Sequence, residues 1–357
     1  MKENIKKLIR ELSKIYDNNS ENSFVSLYAD KSTYRKFIDR RIRACRLLLK
    51  EDELKNFNKT IENIENVLKD FSSKSIGVFA SNKYNFLKYI PLSIELKNSL
   101  IVDSSPYIRP LARIQDEWEA FTLLLVNSNF AKIFSISTNK VDDIKKLSTD
   151  IINKHKKGGW SQARFNRIRK GAINAFLSEV VEALQKKADK SIIIAGPGNT
   201  KNRLIEMLPN ELKDKLVDVI DISIDDEQRL FKESFHLITE KEQKESIKAV
   251  TRLKQEILKD GLAIYGLIET LDAVKNGQVD LLVVEKDYKK RGWICERCQI
   301  VEEGKNKTCP YCGNKTSEVD VIEEILEFAQ RTDANIEFTD SEEIANLGHV
   351  GAILRFK

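Results

Sequence analysis

The chain has 357 residues, of which 41% are hydrophobic and 32% are charged, and its formal net charge at pH 7 is +5. This length is enough for two or three domains with ordinary hydrophobic cores. No apolar run approaches the roughly 18 residues that a membrane span needs, and segment 1–17 lacks the apolar core of a secretory signal. We therefore expect a cytoplasmic protein without membrane association.

Residues 1–118 are predicted to form an α+β domain. Apolar residues recur there at helical spacing in two segments, which are Ile5, Leu8, Ile9, Leu12 and Ile15, and then Ile38, Ile42, Cys45 and Leu49. Cys45 lies on the apolar face of the second segment, so we predict a small core residue rather than a reactive thiol. A strand is predicted at Ile76–Ala80.

Strands alternate with helices over residues 119–258, which predicts an α/β middle domain. Two strand-like runs flank Asn127-Ser128-Asn129, a pattern typical of a hairpin. Long helices are predicted from about Gln162 to Lys187 and from about Lys241 to Lys259. The apolar stripe of the first helix consists of Phe165, Ile168, Ala172, Phe176, Val180 and Leu184.

Residues 259–357 are predicted to form a small third α/β domain. A helix that ends at Gly277 precedes a strand, and a second helix and strand follow a cysteine-rich insert at residues 293–315. Residues 318–343 contain ten acids and one base, Arg331. This acidic segment is either a solvated face or a surface that binds a protein partner.

The insert contains the pattern C-x2-C-x10-C-x2-C, formed by Cys295, Cys298, Cys309 and Cys312. Each C-x-x-C pair can present two thiolates to one tetrahedral ion, and Gly313 allows the second turn to close. Disulfides are not expected in a reducing compartment. The pattern predicts a structural Zn²⁺ with no open position for a catalytic water, although iron is an alternative occupant.

The stretch "KHKKGGWSQARFNRIRKG" at 154–171 combines two glycines with a strongly basic surrounding sequence. Residues 151–178 contain seven Lys or Arg and no acid, which favours phosphate contacts but is also compatible with a solvated helix face. The candidate RNA-binding residues are Lys154, Lys156, Lys157, Trp160, Arg164, Arg167, Arg169 and Lys170. Gly158 and Gly159 allow close approach of the backbone. Gln162 can orient a nucleophile but cannot act as a base.

The order of these motifs resembles the archaeal and eukaryotic class I peptide-chain release factor superfamily, which also includes Pelota. The matching segments are "GG" before "RFNRIR", "SIIIAGPG", "VDVIDIS" and "LDAVKNGQVDLLVVEKD". The resemblance covers nearly the whole chain. It implies three domains, with an RNase H-like middle domain whose Gly-Gly-Gln loop enters the peptidyl transferase centre. It also implies a ribosomal-protein-like α/β/α third domain, which often carries a zinc-ribbon insert in archaeal members.

Two departures from the family pattern guide the functional prediction. An ungapped count places Trp160 where standard release factors have the catalytic glutamine, and Gln162 lies two residues later. This spacing resembles the Vms-like clade of ribosome quality control. Stop-codon readers of the family also carry Asn-Ile-Lys-Ser and Tyr-x-Cys-x-x-x-Phe in the first domain, and neither motif occurs here.

On this resemblance we predict a stop-codon-independent rescue factor that frees nascent chains from peptidyl-tRNA on stalled large ribosomal subunits. Gly158, Gly159 and Gln162 are its predicted catalytic residues, and cleavage of the tRNA near its 3′ CCA end is its predicted reaction. One alternative is a codon-dependent termination factor that hydrolyses the peptidyl-tRNA ester. A second alternative is a non-catalytic, Pelota-like ribosome-binding factor.

Overall fold

The computed structural model describes residues 2–117, 120–137, 140–150 and 160–356. The chain divides into two compact units, one formed by Met1–Glu117 together with Glu245–Lys357 and the other by Trp118–Lys244. Among the described residues, every helix is too short or too polar to span a lipid bilayer. The mixed α/β class with several sheets is confirmed, whereas the predicted three-domain division after 118 and 258 stays a prediction.

The N-terminal segment of the first unit builds one antiparallel sheet with helices on both faces. In chain order it comprises α1 (Lys2–Leu12), β1 (Phe24–Asp30), α2 (Tyr34–Leu48), α3 (Glu51–Asp70), β2 (Ser75–Ser81), β3 (Phe86–Leu92), β4 (Ser99–Asp103) and α4 (Arg109–Glu117). The strand order is β3-β2-β1-β4. Every residue of β1 is buried. Its alternate side chains enter two clusters, with Leu27 packed among residues of α2 and α3 and Tyr28 among residues of α1 and α4.

The second unit contains a five-stranded sheet of order β7-β6-β5-β8-β9 within the described residues. Its elements are β5 (Phe121–Val126), β6 (Phe130–Ser137), β7 (Lys140–Ser148), α5 (Trp160–Lys187), β8 (Ser191–Ala195), α6 (Thr200–Met207), α7 (Asn210–Lys213), β9 (Leu216–Ile220) and α8 (Glu227–Leu258), the last of which continues into the first unit. Antiparallel pairing of β5 with β6 confirms the predicted hairpin. Strands β5, β8 and β9 are parallel to one another.

Helix α8 begins at Glu227, well before the predicted start near Lys241. Leu230 and Ile238 are buried on its first turns, and Ser234 lies between them with no exposed surface. The Ser234 hydroxyl donates to the Leu230 carbonyl at 2.7 Å, so this polar side chain is satisfied inside the core. Ser234 interrupts the apolar period, which explains why the sequence pattern missed these turns.

The C-terminal segment of the first unit carries a four-stranded sheet of order β10-β16-β11-β15 and a small sheet of order β13-β12-β14. The elements are β10 (Ala263–Tyr265), α9 (Leu267–Lys275), β11 (Val279–Glu285), β12 (Arg291–Cys295), β13 (Ile300–Glu303), β14 (Ser317–Asp320), α10 (Val321–Arg331), β15 (Asn335–Thr339), α11 (Glu342–Asn346) and β16 (Val350–Leu354). Gly277 follows α9 with φ of 70°, a conformation that glycine adopts without strain. The helices and strands expected in this segment are thus present.

The acidic segment is not simply a solvated face, because three of its carboxylates on α10 are buried. Glu323, Glu324 and Glu327 expose 8%, 5% and 2% of their surface. Ser105 of the N-terminal segment donates its hydroxyl to Glu327 at 2.9 Å. Arg109 approaches Glu323 at 3.4 Å. These side chains contact the N-terminal segment of the same unit, so this part of α10 is already covered by the chain itself.

Burial of these carboxylates makes the stability of the first unit depend on pH. Burial raises the pKa of Glu327 from 4.5 to about 8, although Arg331 opposes the change, and it raises the pKa of Glu323 to about 8 against the pull of Arg109. Each group therefore keeps its proton in the folded protein at pH values where the unfolded chain has released it. The contribution to folding is fully present below about pH 4.5 and is lost as pH rises towards about 8.

We expect Glu327→Gln to weaken this pH dependence, because an amide keeps the hydrogen-bonding shape and does not titrate. The wild-type midpoint of unfolding by urea should fall between pH 5 and pH 8, and the midpoint of the variant should fall less. The matched control is Glu318→Gln, which removes an exposed carboxylate from the same acidic segment. Equal slopes for wild type and Glu327→Gln would contradict the assignment of Glu327 to this effect.

Candidate functional site

The predicted catalytic loop is only partly within the described residues. Lys154, Lys156, Lys157, Gly158 and Gly159 lie outside them. Helix α5 begins at Trp160, so Gln162 belongs to its first turn, but the side chains of residues 160–162 also lie outside the description. The predicted Gly158, Gly159 and Gln162 tip therefore stays a prediction, and the described part of the site begins at residue 163.

Residues 163–168 near the start of α5 are exposed, contrary to the apolar stripe predicted there from the sequence. Phe165 and Ile168 are 39% and 47% exposed, whereas Phe176 and Val180 are buried. A helix of 28 residues is about 42 Å long, and the five residues of β8 span only about 17 Å. The helix is therefore longer than the strand β8 that shares its apolar cluster, and within the described residues the contribution of α5 to that cluster begins at Ile173.

These exposed turns carry the described members of the predicted RNA-binding set. Arg164, Arg167 and Lys170 are exposed and Arg169 is half-buried. No carboxylate of the described chain forms an ion pair with Arg164 or Arg167, so their guanidinium groups are available to an anion. The Nε of Arg169 is buried and has no hydrogen-bond partner within the described ranges. The arrangement can bind phosphate groups on a basic helical projection.

The four cysteines converge as their spacing predicts. Their sulfur atoms all lie within 4.8 Å of one another. Gln299 and Gly313 directly follow the two C-x-x-C pairs and have φ values of 53° and 73°, so both turns close with left-handed backbone. The Gly313 N–H donates to the Cys309 carbonyl at 2.9 Å, and the Cys309 N–H donates to the Asn314 carbonyl at 2.7 Å. Backbone geometry thus presents all four sulfurs to one point.

The cysteine cluster fits a tetrahedral four-thiolate ion. The sulfur atoms of Cys295 and Cys312 are 3.6 Å apart, close to the separation of about 3.8 Å that zinc–sulfur bonds of about 2.3 Å produce in a tetrahedron. Trp293 is 2% exposed and packs in one apolar cluster with Cys295 and Cys309, as expected for a side chain that supports the insert.

A cavity of about 720 Å³ lies at the start of α2, where no functional residue was predicted from the sequence. Its walls include Lys31, Arg35, Lys36 and, from the end of α3, Lys69. The signal was present in "KSTYRK" at 31–36, which contains three bases and no acid. This short basic run did not by itself indicate a site, because Lys69 and Phe71 are distant in sequence and lie beside it only in the folded chain.

Comparisons with known proteins extend this description. A family model for eRF1 domain 2 matches residues 120–245, and one for eRF1 domain 3 matches residues 243–357. The peptide chain release factor subunit 1 of Methanocaldococcus jannaschii is 31% identical, over 71% of this chain and 70% of the relative. The protein of the same name from Archaeoglobus fulgidus is 30% identical over the same shares.

Two solved structures are also similar. An archaeal translation termination factor, aRF1, aligns over 99% of this chain and 98% of its own, with 16% identity and a TM-score of 0.30. Pelota from Archaeoglobus fulgidus aligns over 98% of this chain and 92% of its own, with 16% identity and a TM-score of 0.39. TM-scores this low support no conclusion from the superpositions.

Two domains of this kind in this order are typical of the class I release factor and Pelota superfamily. The chain belongs, within that superfamily, to the family of peptide chain release factor subunit 1.

The same comparisons show that the main functional prediction was wrong. Stop-codon-independent rescue was predicted, but relatives that are about 30% identical over most of the chain are named peptide chain release factor subunit 1. That prediction gave most weight to the offset of Gln162 and to two short motifs absent from the first domain. Loops change in length and sequence more readily than the elements they connect. The spacing of one residue in a loop and the absence of short motifs are therefore weak evidence about function. The predicted tRNA cleavage has no support either.

Proposed function

We propose that the protein is a codon-dependent translation termination factor that hydrolyses the ester of peptidyl-tRNA on the ribosome. The names of the relatives support the activity. Among the described residues, the observation that carries the proposal is the exposed basic start of α5, where Arg164 and Arg167 make no ion pair. A projection of this charge suits the RNA-lined site where peptidyl-tRNA is bound.

In this proposal the segment that ends in Gly158 and Gly159 brings the start of α5 close to the ester. Glycines suit this role because no side chain keeps the backbone away from the tRNA. Hydrolysis requires a water aligned on the carbonyl carbon and a donor for the developing oxyanion. The Gln162 amide can help align the water or donate to the oxyanion, and the neighbouring cations hold the tRNA backbone.

The spacing Gly159-Trp160-Ser161-Gln162 remains a departure from Gly-Gly-Gln. We assign the catalytic amide to Gln162 because "RFNRIRKG", which follows it, contains no other glutamine and provides the described basic turns. The missing Asn-Ile-Lys-Ser and Tyr-x-Cys-x-x-x-Phe motifs mean that other first-domain residues recognise the stop codon in this proposal.

The proposal is tested with assembled archaeal ribosomes that carry labelled peptidyl-tRNA and either a stop or a sense codon in the A site. We expect peptide release with a stop codon, little release with a sense codon, and an intact tRNA 3′ end. Equal release with both codons would contradict codon dependence. Subunit splitting without peptide release would instead support the Pelota-like alternative.

We also propose that Cys295, Cys298, Cys309 and Cys312 hold one structural Zn²⁺. The separations of the four sulfur atoms support this ligand set. An ion bound by four protein thiolates has no open position for water, so it supplies folding free energy to the insert rather than chemistry. The small sheet β13-β12-β14 surrounding the cysteines supports the zinc-ribbon description of this insert.

Removal of the ion should loosen the insert before the rest of the protein. We expect about one zinc per chain by elemental analysis, and we expect Cys309→Ser to lower the bound zinc and expose the insert to protease. Cys45→Ser is the matched control, because Cys45 is a buried cysteine of the N-terminal core. A zinc content unaffected by Cys309→Ser would contradict the site, and stoichiometric iron would change its occupant.

We also propose a finer fold for the middle and C-terminal parts of the chain. The strand order β7-β6-β5-β8-β9, with β6 antiparallel to β5 and β8 parallel to it, supports an RNase H-like middle domain. The mixed sheet β10-β16-β11-β15 with its helices supports a ribosomal-protein-like α/β/α domain at the C-terminal end.

A further inference from the structure

The cavity at the start of α2 is lined by positive charge from two separate elements. Lys31, Arg35 and Lys36 come from the turn after β1 and the first turn of α2, and Lys69 comes from the end of α3. All four side chains belong to exposed residues. Within the described chain none of them forms an ion pair with a carboxylate. The cavity therefore concentrates unneutralised charge, which favours an anionic ligand.

The turn that forms this wall is held in place by Asp30. The Asp30 carboxylate accepts hydrogen bonds from the Ser32 backbone N–H at 3.0 Å and from the Thr33 hydroxyl at 3.2 Å. The Asn98 side chain donates to the Thr33 hydroxyl at 2.7 Å and ties the turn to the neighbouring loop. This carboxylate is 93% buried and is hydrogen-bonded within its own turn, and in the described chain it forms no ion pair with the four cations.

Helix α2 adds partial positive charge to the same wall. Its first turn contains no acidic residue, and Thr33 at its N-cap makes no side-chain capping bond. The first N–H groups of a helix have no partner within the helix, and they attract anions together with the helix dipole. The start of α2 therefore adds to the positive potential of the cavity that the four cations line.

Aromatic rings complete the lining. Tyr34 and Phe71 are half-buried and lie with their ring centroids 5.6 Å apart at an interplanar angle of 65°. The Lys31 ammonium lies 6.0 Å from the centre of the Phe71 ring. Aromatic side chains beside cations are the usual combination for single-stranded nucleic acid, because bases stack on rings while phosphates contact Lys and Arg. A volume of about 720 Å³ suits a nucleotide-sized ligand.

We propose that this cavity binds a segment of single-stranded RNA, with a base against Tyr34 or Phe71 and its flanking phosphates against the cations. Cations from two separate elements suit a backbone that passes through the cavity with more than one phosphate. An acidic peptide would satisfy the charges but would leave the rings without a stacking partner. The inference goes beyond the proposed termination activity and does not require the assignment of Gln162.

The test measures binding of a fluorescein-labelled octanucleotide RNA to the full chain by anisotropy over a range of salt concentrations. All proteins carry Arg164→Ala and Arg167→Ala, so that the start of α5 contributes little. We expect Arg35→Ala with Lys36→Ala to weaken binding at least tenfold. Loss of two phosphate contacts should also reduce the slope of log affinity against log salt by about 1.4.

The matched control is Lys55→Ala with Lys59→Ala, which removes two exposed charges of α3 outside the cavity lining. It should leave affinity and salt slope nearly unchanged. Tyr34→Leu should weaken binding without changing the salt slope, and thermal unfolding checks that this variant is folded. An unchanged affinity in the Arg35 and Lys36 variant would overturn the proposal. Full displacement of the RNA by inorganic phosphate at constant ionic strength would also overturn it in favour of a simple anion site.

Discussion

We expect Gln162→Ala to slow peptide release from ribosomes with a stop codon by about 100-fold or more, with little effect on ribosome binding. Removal of one preorganised donor from an oxyanion site typically costs about 100- to 1,000-fold in rate. A loss of water alignment adds to this effect because the reacting atoms are then less well oriented. The measurement is the single-turnover rate of release of a labelled peptide at saturating protein.

Two further variants test whether the effect is specific to Gln162. Gln185→Ala removes an exposed glutamine from the same helix and should leave release unchanged. Arg164→Ala should raise the protein concentration needed for half-maximal release while largely preserving the maximal rate, because Arg164 is proposed to hold RNA rather than to react. If Gln162→Ala releases peptide at the wild-type rate while Trp160→Ala does not, the catalytic assignment moves to the residue that the ungapped count places there.

The local elements were predictable because apolar periodicity reports directly on burial. The hairpin around Asn127-Ser128-Asn129 and the helical core position of Cys45 follow from patterns of a few residues, and the structure confirms both. The close approach of the cysteines was also predictable, since ligand spacing constrains geometry within one short segment. Each of these features depends on residues that are close in sequence or on burial against the adjacent layer of the fold.

Features that depend on distant parts of the chain were not predictable in the same way. Phe165 and Ile168 fit an apolar stripe, but the sequence did not reveal that, among the described residues, the core packing of α5 begins only at Ile173. The carboxylates of α10 matched the pattern of a solvated face, yet Glu327 contacts Ser105, 222 positions earlier in the chain. A periodicity within one helix cannot indicate which distant surface covers it.

The buried polar contacts between the two segments of the first unit give a second large expected effect. Arg109 is 5% exposed and donates to the carbonyls of Lys286 at 2.9 Å and Tyr288 at 2.6 Å. It also lies 3.3 Å from the Asp320 carboxylate. One guanidinium thus donates to several acceptors that come from the C-terminal segment, and an alanine at this position would remove this donor from all of them.

We expect Arg109→Ala to lower the free energy of unfolding by about 3 kcal/mol, because removal of one member of a buried charged network leaves its partners desolvated without the hydrogen bonds that it donated. The control is Arg113→Ala on the next turn of α4. Arg113 contacts Asp287, whose side chain is 91% exposed, so its loss should cost less than about 1 kcal/mol. Urea unfolding at pH 7 measures both variants. Equal, small losses would mean that water replaces the Arg109 contacts, whereas a large loss confined to Arg109→Ala establishes that this side chain holds the two segments of the unit together.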